Sequence, residues 1–95
     1  MEGMYRRIPI STIIYVEVSY HQVLYHTTEG VFKTWGALKK IRESLPEDRF
    51  SLCSASFLVN LDYVKAVNGK DLIVGTDRLH VSRSRKKQLM ADIAN

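Results

Sequence analysis

Ile13-Ile14-Tyr15-Val16-Glu17-Val18-Ser19, a break at Tyr20-His21, and then Gln22-Val23-Leu24-Tyr25-His26-Thr27 form the stretch that decides the fold. Its period is two. Ile14, Val16 and Val18 are expected on one face, with Tyr15, Glu17 and Ser19 on the other. After the break, Val23, Tyr25 and Thr27 alternate with Leu24 and His26. Thr28-Glu29-Gly30 supplies a turn into Val31-Phe32-Lys33-Thr34-Trp35, so three short strands with tight connections predict an antiparallel meander.

Beyond Trp35 the period changes. Leu38, Ile41 and Leu45 make one helical stripe, with Lys39, Lys40, Arg42 and Glu43 turned to water, which predicts a central helix over about 36–45. Pro46 ends it, because proline disfavours helical geometry in the residue before it. Phe50–Cys53 predicts a strand, and Phe57–Asp62 an apolar, turn-like segment. Val64–Val67 runs into Asn68-Gly69, a hairpin signal; Asp71–Thr76 and Arg78–Val81 follow, with Thr76-Asp77 as a second turn. Ser84 is placed to cap a C-terminal helix over about 84–94, in which Leu89, Met90 and Ile93 form the apolar stripe. The expectation is one mainly β domain over 1–95 with its core in about 8–93, free of repeats and linkers.

With 95 residues the chain has room for one small domain with a compact core and no deep enclosed active site. Its formal charge of +4 is local. Residues 1–77 carry 9 Lys/Arg and 9 Asp/Glu, whereas residues 78–95 set Arg78, Arg83, Arg85, Lys86 and Lys87 against Asp92 alone. A basic tract of this kind favours an acidic partner. The single cysteine, Cys53, excludes an internal disulfide and a cysteine-pair zinc site, and an apolar strand makes it a buried thiol. His21, His26 and His80 lack metal-ligand spacing, the five glycines form no phosphate loop, and no serine lies in a nucleophile elbow. Catalysis, a metal and a cofactor are therefore not expected. No run approaches the ~20 apolar residues of a membrane helix. Met1–Arg7 has no long apolar run behind it, so no signal peptide is expected either, and the cytoplasm is the default location.

Read in order, these segments resemble the LytTR DNA-binding domain. Ile13–Glu17 and His21–Thr27 resemble its opening strands, and Trp35-Gly36-Ala37-Leu38-Lys39-Lys40-Ile41 its helix start. Ser56-Phe57-Leu58-Val59-Asn60-Leu61 resembles its Ser-aromatic-hydrophobic-Val-Asn run, and Val81-Ser82-Arg83 with Arg85-Lys86-Lys87 its closing basic stretch. The similarity extends from about Ile8 to Ile93.

The resemblance implies an elongated fold of small antiparallel sheets that binds promoter DNA with loops in the major grooves. It implies imperfect direct repeats as the target, occupied by tandem copies or a homodimer, and a bacterial response regulator whose receiver domain precedes the DNA-binding domain. By position it makes His21 and Arg83 groove-facing, with a third contact just before Ser56. Ser56 and Ser82 become phosphate or turn-capping hydroxyls, and Arg85, Lys86 and Lys87 a source of non-specific attraction. One segment departs from the pattern. Where the family shows Phe-x-Arg-x-His-Arg-Ser, this chain has Leu52, Ser54 and Ala55 at the polar positions. Alanine donates no hydrogen bond to a base or phosphate, so altered sequence preference is expected. The same replacements motivate the alternative, a protein-interaction module that has lost DNA reading.

Overall fold

Ile13–Ser19 forms β1 and Gln22–Thr27 forms β2, and together with β3 (Gly30–Trp35) they make the expected meander. The structure is a computed structural model that describes residues 6–95. Met1–Tyr5, on which part of the signal-peptide reading rests, lie outside the described residues. After helix α1 (Leu38–Ser44) come β4 (Phe50–Leu52) and β5 (Phe57–Asn60), which join the meander in a five-stranded antiparallel sheet of order β3-β2-β1-β5-β4. β6 (Val64–Asn68), β7 (Asp71–Val74) and β8 (Asp77–His80) form a second, three-stranded sheet, and α2 (Arg83–Ala94) closes the chain. The result is elongated, 43 × 24 × 21 Å.

Apolar residues lie on both faces of the larger sheet. On one, Val16, Val23 and Leu58 pack with Ile13, Phe50 and Ile41 of α1. On the other, Tyr15, Cys53 and Val59 pack with Leu72, Val74 and Leu79 of the smaller sheet and Leu89 of α2. Two-sided burial corrects the reading of Phe57–Asp62. Phe57 and Val59 face one cluster and Leu58 the other, so a central strand presents a continuous apolar run instead of alternation. The turn is confined to Leu61–Tyr63. Asn60, with 1% exposure, secures it: its Nδ2 donates to the Ile13 carbonyl at 2.9 Å and its Oδ1 accepts from the Asp62 amide at 2.9 Å.

β1 also departs from strict alternation. The β1–β2 register shifts between Ile13 and Tyr15, so Ile14 packs with Tyr15 against the smaller sheet while Val16 and Val18 face α1. The expected Ile14–Val16–Val18 face is thus broken at Ile14. Gly75 explains the close approach there. It has φ +58 in the β7–β8 turn, and an added Cβ would stand 2.9 Å from Ile14 Cγ2. That turn is Gly75-Thr76, one residue earlier than expected, because Val74 pairs with Asp77. Tyr15 ties the sheets together: its hydroxyl donates to Asp77 Oδ2 at 2.9 Å, and its ring stacks on His26 at 4.1 Å. Burial, then the Asp77 hydrogen bond, raise its pKa above the usual phenol range.

α1 is shorter than the expected 36–45, beginning after Ala37 and ending before Leu45 and Pro46. α2 starts earlier than expected. Ser82, not Ser84, is its N-cap residue, with extended backbone and no side-chain cap bond. Leu89 is buried and Ile93 partly so, but Met90 is 41% exposed and leaves the stripe. Among the described residues no helix is long and apolar enough to cross a membrane.

Candidate nucleic-acid interface

Three connections converge at one end of the larger sheet. The first is the β1–β2 turn, whose central residues Tyr20 (φ 51) and His21 (φ 67) are both left-handed. Positive φ at both positions is the type I′ pattern whose twist matches the flanking strands. Tyr20 is 95% exposed, His21 is exposed, and the His21 carbonyl accepts from the Gly36 amide at 2.8 Å. The second connection is the β4–β5 loop. The Cys53 amide donates to the Phe57 carbonyl at 3.0 Å, and the Ser54 hydroxyl accepts from the Ser56 amide at 3.1 Å. The third is the β8–α2 junction at Val81–Arg83.

Backbone hydrogen bonds align the three. The Val18 amide donates to the Ser56 carbonyl at 2.9 Å, and the Ser82 amide to the Cys53 carbonyl at 2.9 Å. The middle loop is therefore joined to both neighbours, which brings His21, Ser56, Ser82 and Arg83 to one edge of the molecule. Within that loop Leu52 turns toward the α1 cluster, the Ser54 hydroxyl is occupied by its own turn, and Ala55 is exposed. The middle connection thus presents an alanine methyl at its tip. Ser56 and Ser82 are half-buried, and Ser82 meets Ser84 hydroxyl to hydroxyl at 3.5 Å.

The basic tract divides. Arg83 and Lys87 are exposed. Arg85, expected beside Lys86 and Lys87 as a free cation, turns inward. Its Nε donates to the Leu52 carbonyl at 3.1 Å, and its Nη2 is the buried side-chain atom without a partner among the described residues. Arg78 meets Asp71 at 3.3 Å. Lys86 Nζ donates to the Gly69 carbonyl, and Lys70 and His80 join Val81, Arg83 and Lys86 around an open cleft of about 380 Å³. Lys70 carried no signal beyond its place after Asn68-Gly69. Only the β6–β7 and β7–β8 pairings, which bring that hairpin to the start of α2, give it a position.

α2 is held by its inner side. Ser51, 1% exposed, donates to Asp92 Oδ2 at 2.7 Å, and Gln88 donates to Oδ1 at 2.8 Å. The Ser51 hydrogen bond, with help from Gln88 and the nearby Arg85 and Arg42 charges, keeps the Asp92 carboxyl below the usual carboxylate range. Cys53 is fully buried, and burial pushes its thiol up to about 11, which leaves it protonated and unreactive at neutral pH. No cluster of three metal-ligating side chains occurs among the described residues.

Residues 3–94 match the family model of the LytTr DNA-binding domain. The fold is similar to a solved structure described as the LytTr DNA-binding domain of a methyl-accepting/DNA response regulator from Bacillus cereus. The TM-score is 0.84 at 22% identity, over 100% of this chain and 93% of that one. No curated protein sequence matches the chain.

Proposed function

The chain belongs to the LytTr DNA-binding domain family, and from that premise we propose that it recognises promoter DNA through the three aligned connections and regulates transcription. The observation that carries this reading is the pair of backbone bonds, Val18–Ser56 and Cys53–Ser82, that sets the β1–β2 turn, the β4–β5 loop and the Arg83 junction side by side. His21 and Arg83 enter grooves from the two outer connections. Arginine suits the task because its guanidinium matches guanine O6 and N7 as a bidentate donor. Lys86 and Lys87 add phosphate attraction, Ser56 and Ser82 offer hydroxyls beside the backbone, and Arg85 orients α2 from within. The 43 Å length compares with about 34 Å for one turn of B-DNA, which suits contacts in successive grooves.

Ala55 at the centre contributes at most an apolar contact with a thymine methyl, so discrimination rests on the flanks. Imperfect direct repeats, filled by tandem copies or a homodimer, compensate a module with few base contacts. A receiver domain in the same bacterial two-component protein is the expected source of control, acting in the cytoplasm. Titration of random duplex DNA at two salt concentrations tests binding, and selection of bound genomic fragments tests for spaced repeats. Tight, salt-steep binding with an enriched repeat supports the proposal. Absence of binding at low salt overturns it in favour of a protein-interaction module.

A further inference from the structure

The cleft at the start of α2 gathers cations from three separate parts of the chain. Lys70 comes from the β6–β7 turn, Arg83 from the first residue of α2 and Lys86 from its first turn, with His80 and Val81 completing the wall. Among the described residues no carboxylate lines it. The nearest acidic side chain along β7, Asp71, is engaged by Arg78 at 3.3 Å. Three cations around one opening repel one another, a cost that an anion in the cleft reverses.

The hairpin that brings Lys70 there is fixed in place. The Lys70 carbonyl accepts from the Val81 amide at 2.7 Å, and the neighbouring Gly69 carbonyl accepts from Lys86 Nζ. Gly69, with φ +63, occupies the first turn position and leaves Lys70 at the second, where the side chain is exposed. The latch uses backbone atoms of Gly69 and Lys70. The Lys70 ammonium is therefore available to a ligand without loosening the turn.

We propose that Lys70, with Arg83 and Lys86, holds a backbone phosphate of the bound DNA in this cleft, so that the β6–β7 hairpin of the smaller sheet is a fourth DNA-contacting element. This rests on the DNA-binding reading above. It makes the smaller sheet part of the interface, not only cover for the core. A phosphate contact neutralises charge and releases counterions without reading sequence, so its signature is the salt dependence of affinity.

The test is fluorescence anisotropy of the full chain on a bound duplex and on a random duplex, from about 50 to about 300 mM salt. Lys70→Ala should reduce the slope of log affinity against log salt by about 0.9, a loss of about eightfold at 0.1 M salt, equally on both duplexes. Lys39→Ala, an exposed lysine on α1 across the larger sheet, should leave the slope unchanged. A wild-type slope for Lys70→Ala, or an equal loss for Lys39→Ala, overturns the inference while the DNA-binding reading stands. Wild-type protein that binds neither duplex overturns that reading and this inference with it. If inorganic phosphate alone shifts the Lys70 and Arg83 amide resonances while the DNA salt slope is insensitive to Lys70, the cleft is a free-anion site and the proposal fails.

Discussion

Replacing Tyr20-His21 with Asn-Gly should stabilise this protein and weaken its hold on DNA. Both residues are left-handed, φ 51 and φ 67, where a side chain other than glycine crowds the following carbonyl. That crowding costs about 1–2 kcal/mol per residue. Asn-Gly is the pair that type I′ turns prefer, since asparagine tolerates the region and glycine meets no Cβ penalty. Against the gain stands about 0.5–1 kcal/mol for the freedom that the new glycine loses on folding. Burial contributes nothing to either side. Tyr20 is 95% exposed and His21 is exposed, and the turn's hydrogen bond to Gly36 uses the residue 21 carbonyl, which any side chain retains.

The net expectation is about 1–2 kcal/mol of added stability, or a rise in Tm of about 4–16 °C for a domain of this size. Denaturant titration should show a higher midpoint with an unchanged slope. In duplex binding the same variant should lose about 5- to 160-fold, the range for one lost specific contact, and Tyr20→Asn and His21→Gly separately assign the loss. A less stable variant would refute the strain argument. Equal DNA affinity would remove the turn from the interface, because nothing else in the fold requires a tyrosine and a histidine there.

Arg83→Ala should cost about 1–3 kcal/mol of binding and relax preference at one base position while Tm stays put. Arg85→Ala should do the reverse in the first instance, lowering stability by about 1–2 kcal/mol as the Leu52 carbonyl loses its donor; an unchanged Tm would assign Arg85 to solvent. Asn60→Ala strands the Ile13 carbonyl and the Asp62 amide, at a cost of about 2–4 kcal/mol in chemical denaturation; a loss under about 1 kcal/mol would show that water replaces both bonds. Asp92 has a lowered folded-state pKa, so its contribution is present above the ordinary carboxylate range and is lost as pH falls through the folded value. The stability gap between wild type and Ser51→Ala should accordingly be widest near neutral pH and narrow below about pH 4; a gap independent of pH would detach Ser51 from Asp92.

The parts of the fold legible in the sequence are those set by local geometry. The β1–β2–β3 meander has alternation and two tight turns, α1 has its Leu38–Ile41–Leu45 stripe and Pro46, and the β6–β7 hairpin has Gly69. What was not legible depends on partners distant in sequence. Phe57–Asp62 reads as an apolar, turn-like segment because β5, a strand buried on both faces, has no polar side to alternate with. The place of Ile14 against the smaller sheet needs Gly75, about sixty residues away, where an added Cβ would collide with it. The candidate site divides in the same way. The family resemblance singles out Arg83 and His21, but charge counting treats Arg85 and Lys87 alike, and only the packing of α2 on β4 separates a tethered guanidinium from an exposed ammonium.

That packing gives α2 a second task that bears on the first. β4 is an edge strand of three residues, and unpaired edge groups are ready templates for pairing with another chain. Here Arg85 Nε supplies the donor that a neighbouring strand would have given to Leu52, and Ser51 reaches Asp92 on the same helix. Among the described residues no helix side chain bonds the backbone of the opposite edge, β3, which carries Lys33 between exposed Val31 and Trp35, a charge that opposes strand addition. The contacts that seal β4 are made within α2, while Arg83 stands at its first position and Ser82 is bonded to the Cys53 carbonyl just past the end of β4. Edge protection and the proposed DNA contact at Arg83 therefore share one helix. A change at Ser51 or Arg85 that lets α2 tilt displaces the Arg83 guanidinium at the same time. The fall in DNA affinity for such variants should track their loss of stability, whereas Arg83 variants lose affinity alone.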